Sequence, residues 1–196
     1  MKTVDEHFIF LSEKPCGSTT GDIYTEISTQ KAWLIKRTGS FNAVKEAFAA
    51  NLFALFTGNF KHSPETELVE GINPADNQKQ YMLASQIRPG FIGFNPVKGR
   101  VPYSFDEVHQ QQSVQNKPIE GLELVLMVSA LHHEADFVGN GSGNVGFDVN
   151  PAESDAVYGF RIDFDQTLDA DESCYRQGNS LGDMILHPRK ISCDLR

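Results

Sequence analysis

Cysteine is scarce in this sequence, and Cys16, Cys174 and Cys193 are odd in number and far apart. No two of them stand at zinc-site spacing, and such a scattered set does not frame a disulfide scaffold. The expectation is therefore free thiols in a reducing compartment. Long hydrophobic runs are missing too. The longest, residues 122–131, contains Glu123 and Ser129 and is too short to span a bilayer, so a soluble chain without a transmembrane segment is expected. The first residues, MKTVDEHFIFLSEK, hold no extended apolar core followed by a small-residue cleavage site, so no Sec signal is expected. Basic residues are in deficit: 17 Lys and Arg face 26 Asp and Glu, for a net charge of −9. That balance argues against nucleic acid and anionic lipid as partners. Internal repeats and low-complexity tracts are absent as well.

What is present points to a folded protein. Residues are 40% hydrophobic, with 14 Phe, and a length of 196 supports one ample domain or two small lobes. Short strands are expected at 7–11 and 23–27, where apolar and polar residues alternate, and at Ala32-Trp33-Leu34-Ile35-Lys36, whose apolar run ends in a lysine. Gly17 and Gly21 flank Ser18, Thr19 and Thr20 between the first two strands, a composition that serves turn geometry in many hairpins. At residues 41–56 the period changes. Val44, Phe48, Leu52 and Leu55 fit one face of a helix, with Ser40 or Asn42 as cap and Gly58 as stop. Glu46 lies beside that stripe, either as a solvated residue or as a partner for Lys36.

Two further strands are expected at 65–70 and 80–87. Residues 88–103 are rich in Gly and Pro and read as a boundary between lobes. A helix is expected at 105–114, and a second, apolar on most sides, at 119–132. It leads into the stretch 131–168, where three polar side chains stand against an apolar frame. Asp136 follows His133 by three positions, Asn144 opens the run VGFDV, and Asp163 closes the run YGFRI. The two runs have the pattern of a hairpin with a Pro-containing loop. One carboxylate to orient a nucleophile, plus an amide and a second carboxylate to hold a cation against phosphates, is the donor set of a nucleotide–metal site.

Other motifs fit less well. Asp163-Phe164-Asp165-Gln166-Thr167 resembles the DxDxT nucleophile motif of haloacid-dehalogenase-type phosphatases, which needs a Rossmann-like sheet and catalytic residues further along. An EF-hand is excluded because Leu168 and Cys174 occupy the positions that require Gly and Glu. His132-His133-Glu134 lacks H-E-x-x-H spacing, which argues against a zinc hydrolase.

The order of glycine-bearing turn, strand lysine, helix glutamate, strand, breaker, buried helix, H-x-x-D, Asn, hairpin and Asp resembles the protein-kinase-like superfamily. It resembles most the divergent kinase-like effectors of intracellular bacterial pathogens, with motif spacing similar to the phosphoinositide-kinase and HipA-type branches. The resemblance implies an α+β, bilobal fold: an amino-terminal antiparallel sheet with one helix at 1–87, a connector at 88–118 and a reduced, partly helical lobe at 119–196. It implies that Gly17, Ser18, Thr19, Thr20 and Gly21 cover nucleotide phosphates. Lys36 contacts those phosphates with Glu46 as its helix partner, and Leu83 and Ser85 lie on the hinge strand near the base. Asp136 is then the catalytic base, while Asn144 and Asp163 hold Mg2+ or Mn2+ with ATP. The acceptor implied is a protein or lipid hydroxyl, host-derived if the chain is exported by a specialised secretion system. The alternative is a pseudokinase-type module that binds a partner protein or nucleotide without catalysis. Three features depart from the family. Asp136 and Asn144 are eight positions apart against five in the usual loop, Asp165 stands where Gly follows Asp-Phe, and no A-P-E segment follows.

Overall fold

The strands Gly21–Glu26 and Ala32–Lys36 are adjacent and antiparallel, and the rest of the first sheet is built outward from them. The computed structural model describes residues 1–15, 20–58, 60–73, 76–93, 113–114, 116–131, 144–149 and 156–164. Within them the protein is α+β, as expected, and divides into two compact units. The first comprises Met1–Leu52 and Pro64–Arg88; the second comprises Phe53–Ser63 and Pro89–Arg196. The segment Phe53–Ser63, which the linear lobe 1–87 includes, is thus grouped with the second unit.

In the first unit the elements run β1 (Lys2–Thr3), α1 (Val4–His7), β2 (Phe8–Glu13), β3 (Gly21–Glu26), β4 (Ala32–Lys36), α2 (Ser40–Thr57), β5 (Thr66–Ile72) and β6 (Lys79–Gln86). The strands form one sheet in the order β1-β5-β6-β4-β3-β2, antiparallel except for β1 against β5. After β1 and α1, the succession of three strands, a helix and two strands is the one expected from the sequence.

Strand alternation gives this sheet two faces. Trp33, Ile35, Val69, Met82 and Ala84 point to one, where Val4 and Phe8 complete a core. Leu68 and Leu83 point to the other and pack on Ala43 and Ala47 of α2. An apolar stripe on a helix ordinarily marks its buried face, and α2 reverses this. Its buried side carries Ala43, Ala47, Ala50, Phe53 and Ala54, whereas Phe41, Val44, Phe48 and Leu55 are exposed. Alanine's short side chain lets the helix axis approach the sheet closely.

Lys2 ties the amino-terminal segment to the outer face. Its ammonium is 2.6 Å from Glu26 and 2.8 Å from Glu67, and it lies over the rings of Trp33 and Phe8. Burial of Glu26 works against its charge, but hydrogen bonds from Lys2, Thr29 and Ser28 outweigh burial and lower the carboxyl from 4.5 to about 2. A depressed folded-state value means stability that is complete above the unfolded value and disappears as pH falls through the folded one. The wild-type protein should therefore lose stability between pH 4.5 and about 2 through this group. Glu26→Gln should be less stable at neutral pH and show a flatter acid limb. Urea midpoints measured across that range test this, and equal slopes for the two proteins would refute it.

In the second unit β7 (Phe91–Gly93), β8 (Ser113–Val114), β9 (Lys117–Glu120), α3 (Leu122–Leu131), β10 (Val145–Asp148) and β11 (Val157–Arg161) follow one another. The sheet order is β7-β10-β11-β9-β8. β10 and β11 form the expected antiparallel hairpin pair, and β9 joins β11 in parallel. Two expectations are corrected. The helix expected from 119 begins at Leu122, because Ile119 and Glu120 pair with Val157 and Tyr158. Ser113 and Val114, placed in a helix by sequence, pair with Pro118 and Lys117 in a two-stranded turn; residues 105–112 lie outside the described ones. α3 packs on β11 and buries Leu122, Val125 and Val128, leaving Met127 and Leu131 exposed, so it is one-faced rather than buried on most sides. His62 is buried in the same unit and hydrogen-bonds through Nδ1 to the Gly159 carbonyl at 2.8 Å. Among the described residues no helix is long and apolar enough to cross a membrane.

Candidate functional site

In the first unit, register determines which side chains meet. Lys36 faces Leu83 across the β4–β6 ladder, and Leu34 faces Ser85, so all four share the face that α2 covers. Glu46 sits in the first half of α2, between Ala43 and Ala47, which bring that helix against Leu83. The Lys36 ammonium and a Glu46 carboxylate oxygen are 2.5 Å apart, and the two side chains are 4% and 2% exposed. Of the two readings open for Glu46, the structure has the buried partner of Lys36. Taking both charges out of water costs several kcal/mol per ion, and well-packed apolar residues would serve stability as well or better. A buried ion pair between a strand and a helix is therefore better explained by a task for the ammonium than by stability.

Gly21 lies directly opposite Lys36, as its Cα partner on β3. A Cβ there would come within 2.8 Å of the Ile35 carbonyl oxygen and 3.3 Å of Lys36 Cα. Only glycine lets the two strands approach so closely beside the lysine. Thr20 adjoins it, and its carbonyl accepts the Arg37 amide at 2.9 Å. The structure thus brings Thr20, Gly21, Lys36 and Glu46 into one neighbourhood. Gly17, Ser18 and Thr19 lie outside the described residues. Leu83 is a core residue, its side chain enclosed by Ala43 and Ala47, while Ser85 keeps partial exposure.

In the second unit the β10–β11 hairpin places Asn144 and Asp163. Val145 pairs with Arg161, and the Ile162 amide donates to the Asn144 carbonyl at 2.7 Å, so Asn144 and Asp163 emerge at one end of the ladder. Gly146 keeps that end of the sheet tight: a Cβ on it would lie 1.9 Å from the Ile92 carbonyl of β7. Both polar residues are half-buried. Asp163 has φ +60°, a left-handed conformation uncommon outside glycine. Gln30, Asn77 and Asn116, which share it, occupy tight turns between paired strands. Asp163 instead follows a strand end, and backbone outliers of this kind cluster at functional sites.

The flanking residues account for the conformation. Phe164 is 1% exposed, its ring 5.3 Å from that of Phe53, and the buried Arg161 guanidinium lies 4.4 Å from the Phe164 ring and 5.4 Å from Phe53. With Arg161 and Phe164 both anchored inward, the backbone must turn sharply between them. Sequence reasoning assigned no role to either residue; the signal available was a charged Arg inside an otherwise apolar run.

An amide oxygen and a carboxylate are hard donors that suit Mg2+ or Mn2+. Among the described residues no group of three or more His, Cys, Asp and Glu side chains gathers around one point. Two protein donors suit a cation such as Mg2+, which takes its remaining ligands from phosphates and water. Asp136 lies outside the described residues, as do His133 and all three cysteines.

No protein-family profile matches the chain, and no curated protein matches it in sequence. Among solved structures, the chain is similar to the Helicobacter pylori proinflammatory kinase CtkA, with 15% identity and a TM-score of 0.48, over 90% of this chain and 67% of that one.

Proposed function

We propose that this protein is an ATP-dependent, divalent-metal-requiring phosphotransferase that acts on a protein or lipid hydroxyl. The observation that carries this reading is the buried Lys36–Glu46 pair joining the last residue of β4 to α2. A lysine fixed in place by a helix glutamate is the phosphate-contacting device of protein kinases. Lys36 neutralises the nucleotide phosphates and Glu46 holds its position. Thr20 and Gly21 continue the loop from Gly17, Ser18 and Thr19 that covers the phosphates, and Ser85 lies toward the base. Asn144 and Asp163 would hold Mg2+ or Mn2+, which would supply charge neutralisation to the phosphates. Asp136 orients the acceptor hydroxyl and takes its proton as the γ-phosphate is attacked. Catalysis of this kind is mainly positioning and electrostatics. On the same resemblance, the acceptor would be a host molecule reached through specialised secretion.

Thermal denaturation with and without nucleotide tests the binding half. At about a hundredfold excess over Kd, Mg-ATP or Mn-ATP should stabilise the protein by about 2.7 kcal/mol, a rise of roughly 5–10 °C. A flat response with both metals removes the nucleotide reading. Incubation with γ-labelled and α-labelled ATP tests the chemistry: transfer of the γ-label, lost in Asp136→Ala, is expected. Binding with no transfer of either label would make the protein a pseudokinase-type module, and transfer of the α-label would make it a nucleotidyl transferase.

A further inference from the structure

Arg161 is the one charged side chain in the run from Val157 to Ile162, and it is fully buried. Burying a guanidinium forfeits its hydration, and an apolar side chain would fill the same place without that loss. What the guanidinium touches shows what it does. It lies 4.4 Å from the centre of the Phe164 ring and 5.4 Å from that of Phe53. At such distances a cation is attracted to the face of an aromatic ring.

Residues three apart on an extended strand are separated by about 10 Å and point to opposite faces. Arg161 and Phe164 meet because the chain turns between them, and backbone bonds fix where it does so. The Arg161 amide donates to the His62 carbonyl at 2.9 Å, and the Ile162 amide to the Asn144 carbonyl at 2.7 Å. The chain is thus tied to its neighbours through residue 162. Phe164, 1% exposed, is held again. Asp163 alone is left to make the turn, and it takes φ +60°.

We infer that Arg161 is a positioning residue for the metal site. Its guanidinium clasps the Phe164 ring, and the clasp sets the backbone, and with it the carboxylate, of Asp163. Turn and clasp support one another: the turn brings the ring to the guanidinium, and the guanidinium keeps the turn. An apolar side chain at 161 would pack on the ring without the attraction between a cation and the ring face. A lysine would offer a point charge in place of a plane that stacks. What the carboxylate holds rests on the function proposed above; the clasp itself does not.

The first test uses no nucleotide. Asp163→Gly should melt roughly 2–4 °C above Asp163→Ala, since at positive φ glycine avoids the clash of a Cβ. When each is combined with Arg161→Leu, the gap should fall below about 1 °C, because residue 163 can then leave the left-handed region. Whatever else the guanidinium contacts is lost equally from both double variants. Phe53→Leu removes the second ring beside the guanidinium and should narrow the gap as well. It serves if far-UV circular dichroism shows that Arg161→Leu does not fold. An unchanged gap overturns the proposal.

The second test titrates Mn2+ into the full chain with ATP and follows the bound metal by electron paramagnetic resonance. Arg161→Leu should need about 10–100-fold more Mn2+ for half-saturation, the usual effect of removing a group that orients a metal ligand. Excess Mn2+ should restore γ-label transfer to Arg161→Leu but not to Asp163→Ala. Equal Mn2+ affinity in Arg161→Leu and the wild-type protein overturns the positioning role. A wild-type protein that binds no Mn2+ with ATP refutes the nucleotide reading instead, and the melting gap then decides the clasp by itself.

Discussion

Replacing Lys36 with Met should destabilise the protein by about 3–5 kcal/mol, because it leaves the Glu46 carboxylate in the interior without its lysine. The magnitude follows from burial. Both side chains are nearly inaccessible, so water cannot replace the lost ammonium. For a chain of this length the loss corresponds to a fall in melting temperature on the order of 10 °C. Glu46→Leu alone should also destabilise the protein, since it removes the carboxylate 2.5 Å from the buried ammonium. The double variant, Lys36→Met with Glu46→Leu, should recover most of the loss, because a well-packed apolar pair avoids the cost of desolvating two charges. Nucleotide-dependent stabilisation should be absent in all three. This combination separates the structural role from the functional one: a double variant that melts like the wild-type protein yet ignores Mg-ATP shows that the pair is kept for the ligand. A Lys36→Met variant melting within about 2 °C of the wild-type protein would refute the buried-pair energetics.

The pair was half legible in the sequence. An apolar strand ending in Lys36, followed by a helix, is visible from residue types alone, and the helix bounds of 41–56 differ from the observed Ser40–Thr57 by a residue at each end. Which side of that helix meets the sheet was not visible. Val44, Phe48, Leu52 and Leu55 lie at helical spacing, but so do Ala43, Ala47, Ala50 and Ala54, and periodicity ranks the stripes by hydrophobicity rather than by fit. The alanine side won because Lys36 and Glu46 must meet across the sheet–helix gap, and larger side chains would hold the helix too far away.

The second unit shows the complementary case. Asn144 and Asp163 were placed together by hairpin grammar alone, and the ladder from Val145↔Arg161 to Asp148↔Tyr158 bears out that pairing. The apolar run at 119–132 was read as one helix because short strands and buried helices share the same composition. Gly121, with φ +72°, breaks it, so that Ile119 and Glu120 extend the sheet and the helix starts afterwards. The contacts of Arg161 and Phe164 with Phe53 join residues more than 100 positions apart in sequence, and no local pattern encodes them.

Those contacts bear on the prediction with the greatest expected effect on activity. Asp163→Ala and Asp163→Asn should each lower phosphoryl transfer by at least about a thousandfold, the scale expected when a charged group that stabilises a transition state through a metal is lost. The same substitutions should abolish the rise in melting temperature with Mg-ATP. Asp163→Gly should be as inactive, but its stability without nucleotide should differ. At φ +60° an alanine suffers the clash between its Cβ and the backbone that glycine lacks. Any other contact of the carboxylate is lost equally in both, so comparing the two variants isolates the backbone. The glycine variant should exceed the alanine variant by about 1 kcal/mol, or roughly 2–4 °C, despite the greater freedom glycine gives the unfolded chain. If the glycine variant melts lower, Phe164 and Arg161 do not impose the left-handed turn. If Asp163→Ala transfers phosphate at the wild-type rate, the carboxylate is not a metal ligand in the reaction. If both results come out as expected, the protein holds Asp163 in an unfavourable conformation at a cost in stability, for the sake of where it presents a carboxylate.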